Sequence, residues 1–195
     1  GYAMKRVGVL GASFNPPTLG HKNVILQSLE IFDLVILVPS LKHPFNKKLV
    51  SSIHRVAMLK RCIDALPEVY RAKTMLMNVE AMLLASSQRQ YIYTFDVLQK
   101  LQRYFEIIGE PVALRFIMGP DNAQPRVWKK FYKHAEIDKR WPPFVVKENI
   151  KVHSEQARTL IKTLKHKPNE LKKALKPFLE ESIIHYILQN NLYVE

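Results

Sequence analysis

The chain has 195 residues, 47% apolar and 24% charged, which is ordinary globular composition and enough for one domain with a full core. No run is long and apolar enough for a transmembrane helix, and no signal-peptide pattern opens the chain. The single cysteine, Cys62, excludes an intramolecular disulfide, so a secreted, staple-dependent fold is disfavoured and the cytoplasm is the expected compartment. The net charge of +13 is spread through Lys42–Lys48, Arg126–Lys133 and Lys162–Lys176. With no zinc-finger spacing and no RNP-like aromatic motif, it reads as a solvated basic surface that also serves small phosphorylated ligands; nucleic acid and membrane are disfavoured as partners.

Gly1-Tyr2-Ala3 reads as a cloning remnant ahead of a start at Met4, leaving residues 4–195 as one domain. The apolar run Arg6–Leu10 predicts a strand, and Val24, Ile25, Leu29 and Phe32 recur at helical spacing over 19–32. Between them lies Leu10-Gly-Ala-Ser-Phe-Asn-Pro-Pro-Thr-Leu-Gly-His21. A strand, a Gly-rich turn and a helix start make a phosphate site, because the first N–H groups of a helix are unpaired and its dipole favours an anion. Gly11 and Gly20 allow backbone to approach a ligand. Thr18 and His21, three apart, share a face of the first turn, so one imidazole is directed into the site.

Leu34–Val38 is a continuous apolar run, as in a strand buried on both faces, ended by Pro39. A basic stretch over 40–50 carries Lys42, His43, Lys47 and Lys48. Ser51 or Ser52 caps a helix with the stripe Val56, Leu59, Ile63, Leu66. Thr74–Val79 reads as a third strand, and 81–92 as loop with a helical turn. Thr94 is placed to cap a helix bearing Phe95, Leu98, Leu101 and Phe105. Val112–Met118 is a fourth strand closed by Gly119-Pro120-Asp121, Val127–Tyr132 a short basic helix, and Phe144–Val146 a fifth strand. Ser154 caps a helix to Leu164, Lys167-Pro168-Asn169 reads as a turn, and Pro177 opens a final helix. That last helix could pack on its own sheet or on a neighbour, so a homo-oligomer stays open. The alternation of strands and helices implies an α/β fold with a mostly parallel sheet of about five strands covered on both faces. In such sheets ligands sit at the carboxyl ends of strands near the switch point. The Gly11–His21 turn, the Pro39–Lys48 stretch and Gly119–Asp121 should therefore converge.

Gly11–His21 resembles the (His/Thr)-x-Gly-His signature of the nucleotidyltransferase superfamily, and its Ser-Phe-Asn-Pro is closest to nicotinate/nicotinamide mononucleotide adenylyltransferases. Four further stretches are similar to that family in the same order: Ser52–Leu59 with its His-Arg pair, Tyr93–Leu98, Ile117–Asn122 followed by Trp128, and Tyr186–Tyr193. Any one is a weak signal; five in order are strong.

The resemblance implies a Rossmann-like, doubly wound fold and adenylyl transfer from ATP to nicotinate or nicotinamide mononucleotide. The rival readings are another transferase of the superfamily, of pantetheine-phosphate or cytidylyl type, and a catalytically weak basic nucleotide- or RNA-binding protein. It further implies catalytic roles for His21, Thr18 and Arg158, and ATP contacts from Gly11, Ser13, Phe14, Gly119, Asp121 and Ser154. Mononucleotide contacts would come from Lys47, with Lys42 and Lys48 as rivals, from Thr94, and from an exposed Trp128 stacking on the pyridine. Arg55 is either a substrate contact or a structural partner. Residues 151–195 would complete the ATP site. Mg²⁺ would arrive with ATP, held by phosphates and water, with no protein metal site. One departure stands out: Glu155 occupies the Thr position of a Ser-Thr-x-x-Arg motif. Either its carboxylate turns away from the triphosphate or ATP binding is weakened.

Overall fold

The computed structural model describes residues 4–41, 49–87 and 91–195. Five strands form one parallel sheet in the order β3-β2-β1-β4-β5, with β1 (Lys5–Ala12), β2 (Leu34–Pro39), β3 (Thr74–Leu76), β4 (Val112–Met118) and β5 (Phe144–Val145). The chain starts at the centre, runs outward through β2 and β3, then crosses back to place β4 on the other side of β1. The switch point therefore lies between β1 and β4, where a parallel sheet opens a crevice at its carboxyl edge.

Why β2 has six consecutive buried residues follows from the two layers that cover it. Val35 and Leu37 join Leu10 and Ile117 against α1 (Leu19–Leu29) and α2 (Ser52–Asp64). Leu34, Ile36 and Val38 face Val79 and the stripe Phe95, Leu98, Leu101 and Phe105. Successive side chains of a strand alternate between faces, so a continuous apolar run is what a doubly covered strand requires. The first layer also holds α9 (Ser154–Leu164), α10 (Pro168–Leu175) and α11 (Glu181–Gln189). The second includes α4 (Val79–Ser86), α5 (Thr94–Ile107), α7 (Pro125–Trp128) and α8 (His134–Arg140). Short α3 (Glu68–Arg71) leads into β3, and α6 (Pro120–Ala123) follows β4.

Several boundaries differ from the sequence reading, each for a local reason. The third strand stops at Leu76, and residues 81–86 of the stretch read as loop belong to α4. Thr94 is the first helical residue rather than the cap: the Asp96 carboxylate accepts the Tyr93 N–H at 2.9 Å and closes that end one residue earlier. Ser154 likewise lies inside α9, because Gln156 Oε1 takes the His153 N–H at 2.8 Å. The reading of Lys167-Pro168-Asn169 as a turn is corrected: Pro168 opens α10, at the position where its missing N–H costs nothing. Pro177 does not open the last helix, which begins at Glu181. Among the described residues no helix is long and apolar enough to cross a membrane.

Candidate active site

The turn after β1 is held from several sides by side chains of distant segments. Phe14 lies at φ 48°, in the left-handed region, with its ring fully buried, and the Asn15–Pro16 peptide is cis. A bulky residue there is strained and persists only where its surroundings over-determine it. Three side chains from distant segments supply that determination by donating to three carbonyls of the turn. Arg55 Nη1 donates to Ser13 O at 2.9 Å, Arg158 Nη1 to Asn15 O at 2.9 Å, and Ser154 Oγ to Pro16 O at 2.7 Å. The Asn15 side chain, 2% exposed, accepts at Oδ1 from the Tyr193 hydroxyl at 2.9 Å and from the Val50 N–H at 3.3 Å.

At the end of the turn Thr18 caps α1. Its hydroxyl accepts the His21 N–H at 3.2 Å, and His21 Nδ1 accepts the Thr18 N–H at 2.9 Å. This is a capping box in which an imidazole takes the place of the usual carboxylate. An Nδ1 that accepts carries no proton, so the neutral ring holds its proton on Nε2, the edge away from Thr18. Burial, with a smaller contribution from His153, lowers the His21 pKa to about 4, so the ring is neutral at pH 7. The Phe14 ring packs on it with centroids 4.9 Å apart.

His21 lines a cleft of about 410 Å³. Its walls are Thr18, Gly20, Asn23 and Val24 of α1, the Gly119–Asn122 turn after β4, and the 146–154 segment, with Leu10 at the end of β1. Two of the three expected strand-end features thus meet at the switch point, joined by Ser154. A second cleft of about 820 Å³ lies beside α9, lined by Ser51, His54, Glu155, Arg158, Lys162 and Tyr193 among others. Glu155, exposed on the first turn of α9, faces that cleft and not the one holding His21.

The predicted residues divide accordingly. Thr18, His21, Gly119, Asp121 and Ser154 share the first cleft, whereas Arg158 lines the second and reaches the site only through Asn15 O. A Cβ on Gly119 would meet nothing within 4 Å, so backbone there is open to a ligand. Gly11 is exposed at the end of β1, and Ser13 lends its carbonyl to Arg55. Phe14 is corrected: its fully buried side chain supports His21 and leaves no surface for ATP. Gly20 lines the first cleft, and on its Cβ side it is approached by Val152 O of this chain, 2.6 Å from where a Cβ would stand. Trp128 is not the exposed ring expected. It is 9% exposed, stacks on Phe116 and gives its indole N–H to Asp138 at 3.1 Å. Thr94 lies at the start of α5, outside both clefts. Lys42, Lys47 and Lys48 lie outside the described residues.

Arg55 proves structural. It is 1% exposed, and besides Ser13 O its guanidinium donates to Val50 O and Ser40 O. Asn15 and Tyr193 are the contacts that the sequence reading missed. The only signal for them was an Asn before two prolines and a Tyr in a matching tail. Cys62 is buried and its thiol pushed up to about 12, which removes it as a nucleophile.

A Bacillus subtilis nicotinate-nucleotide adenylyltransferase is 30% identical over 69% of this chain and 65% of its own length. The chain spans less than two thirds of the length of three curated relatives, 29%, 52% and 65%. A Vibrio parahaemolyticus structure, provisionally assigned as a nicotinate-nucleotide adenylyltransferase, superimposes with TM-score 0.72 at 26% identity, over 98% of this chain and 97% of that one. The Plasmodium falciparum nicotinic acid mononucleotide adenylyltransferase complexed with NaAD gives TM-score 0.68 at 20% identity, covering 97% of each chain, and so shares the fold. The cytidylyltransferase-like family model matches residues 9–165, from the middle of β1 through the end of α9, and with the cleft at the switch point inside that span the chain belongs to this family.

Proposed function

We propose that this protein transfers the adenylyl group of ATP to nicotinate or nicotinamide mononucleotide, releasing pyrophosphate. A phosphate oxygen of the mononucleotide forms a bond to the α-phosphorus of ATP as the bond to the pyrophosphate oxygen breaks in line with it. Such chemistry needs positioning and charge neutralisation rather than a covalent intermediate. The observation that carries the reading is the neutral His21, fixed by Thr18 as an Nε2–H donor on the wall of a cleft at the switch point. A neutral donor can strengthen its hydrogen bond as negative charge grows on the α-phosphate. The positive end of the α1 dipole adds to that field.

Asp121 would accept from the ATP ribose and Gly119 would admit the nucleoside, while Gly11 and Ser13 would line the phosphate path. Ser154 holds the turn that presents His21. Arg158 supports the same turn from the second cleft and can serve the far end of the triphosphate. Lys47 is carried as a mononucleotide contact, and Thr94 as a contact to its base. Mg²⁺ would enter with ATP as part of the substrate, held by its phosphates and water. Incubation with ATP, Mg²⁺ and each mononucleotide should release pyrophosphate and yield a dinucleotide of the corresponding mass. Release with neither, together with salt-sensitive RNA binding, would overturn the reading.

A further inference from the structure

The C-terminal tail ends in an irregular path. Asn191 and Tyr193 lie at φ 49° and 65°, two non-glycine residues in the left-handed region within three positions. That geometry carries the Tyr193 ring inward beneath the turn after β1, where its hydroxyl lies 2.9 Å from Asn15 Oδ1. The phenol also sits in the field of both guanidiniums that hold this turn, Arg55 and Arg158. The arginines and Ser154 grip main-chain carbonyls. Tyr193 instead grips a side chain, and Asn15 Oδ1 divides itself between the tail and the Val50 N–H that precedes α2. Three residues beyond Asn15 the backbone reaches Thr18, whose N–H fixes the His21 tautomer.

We infer that Tyr193 is a positioning residue: its hydroxyl, through Asn15, sets the turn that holds His21 in register with the cleft. A phenol used only to fill space would need its ring and not its oxygen. Here the oxygen hydrogen-bonds to the turn, and left-handed backbone at Tyr193 itself is accepted in order to deliver it. The activity arm of the test rests on the adenylyl-transfer reading; the spectroscopic arm does not.

The test is Tyr193→Phe, which keeps the ring and removes one O–H. A single net hydrogen bond is worth a factor of about two to ten, so kcat should fall by about that factor, with KM for ATP within about twofold and the melting temperature little changed. In an Asn15→Ala background the same substitution should have no further effect on kcat, since the path is already cut. In parallel, ¹⁵N NMR of the His21 ring should show one tautomer, protonated at Nε2, in the unmodified protein, and a mixture or broadened signals in Tyr193→Phe. A lowered melting temperature with unchanged kcat and unchanged His21 signals would overturn the inference, as would additive losses in the double variant. If the unmodified protein turns over neither mononucleotide, the functional reading falls, and the His21 signals alone still decide the role of Tyr193.

Discussion

The most consequential single group is the His21 imidazole, because its two nitrogens do different work. Nδ1 closes the helix cap and Nε2 is left as donor. His21→Asn separates the two, since the Asn carbonyl can occupy the place of Nδ1 and accept the Thr18 N–H while nothing replaces Nε2–H. Turnover should fall by about 10²–10³, the usual cost of one preorganised donor, while the melting temperature at pH 7.5 stays close to that of the parent. The same substitution should change the acid limb of stability. Folding lowers the His21 pKa from 6.5 to about 4, so across that interval the unfolded chain binds the extra proton. The contribution is complete above pH 6.5 and is lost as pH falls towards 4, with a slope of about 1.4 kcal/mol per pH unit at most. Glu80, whose carboxyl burial raises from 4.5 to about 7, slopes the opposite way over an overlapping range. The difference between parent and His21→Asn, measured by urea unfolding from pH 4 to 8, cancels that term. Equal acid slopes in the two proteins would show that His21 titrates alike folded and unfolded.

At the scale of elements, the site is made where the segment entering α9 closes on the start of α1, and at Gly20 the two run close together. A Cβ there would stand 2.6 Å from Val152 O and 3.5 Å from Ile150 O, and main-chain carbonyls cannot swing aside as a side chain would. Gly20→Ala should therefore push the entry to α9 away from α1, lowering stability by about 1–3 kcal/mol. Because the displaced segment leads into Ser154, kcat/KM for ATP should drop as well. Gly119→Ala, with open space around its added methyl, should leave the melting temperature unchanged, and equal thermal losses in the two variants would refute the close-approach argument. The sequence made most of this architecture legible because its signals are periodic: the β2 run, the Phe95–Phe105 stripe and the strand-turn-helix at Gly11–His21 each repeat a rule that backbone geometry imposes. Helix starts were misplaced by one residue at Thr94 and Ser154, where a side chain two positions further on took over the cap. Trp128 was misjudged because neighbouring lysines suggested a wet surface, while one face of a four-residue helix was enough to bury it. The pairing of Tyr193 with Asn15 was not legible, since the two lie 178 positions apart and no local pattern encodes such a contact.

For the whole molecule, the unresolved tension in its composition is a net charge of +13 on a protein whose cleft holds few cations. Thr18, His21, Asp121, Glu148, His153 and Ser154 line the first cleft, and Lys147 is its one lysine or arginine among the described residues. On the adenylyl-transfer reading, the basic residues away from the cleft should act at a distance, through the summed field over the surface, which raises the local concentration of anionic substrates. Such a field is screened within about 10 Å at 0.1 M salt and about 3 Å at 1 M. Contacts inside a closed cleft are screened far less. Raising KCl from about 0.05 to about 0.5 M should accordingly lower kcat/KM for ATP by roughly three- to tenfold, with kcat held within about twofold. Replacing Lys172, Lys173 and Lys176 together with Gln removes three exposed charges on and just beyond α10. The triple variant should show a shallower salt dependence of kcat/KM and an unchanged kcat, because none of the three lines either cleft. A kcat that fell with salt in step with kcat/KM would place the screened charges in the transition state instead. A salt-independent kcat/KM would mean that the basic surface serves another polyanion and not the small phosphorylated substrates.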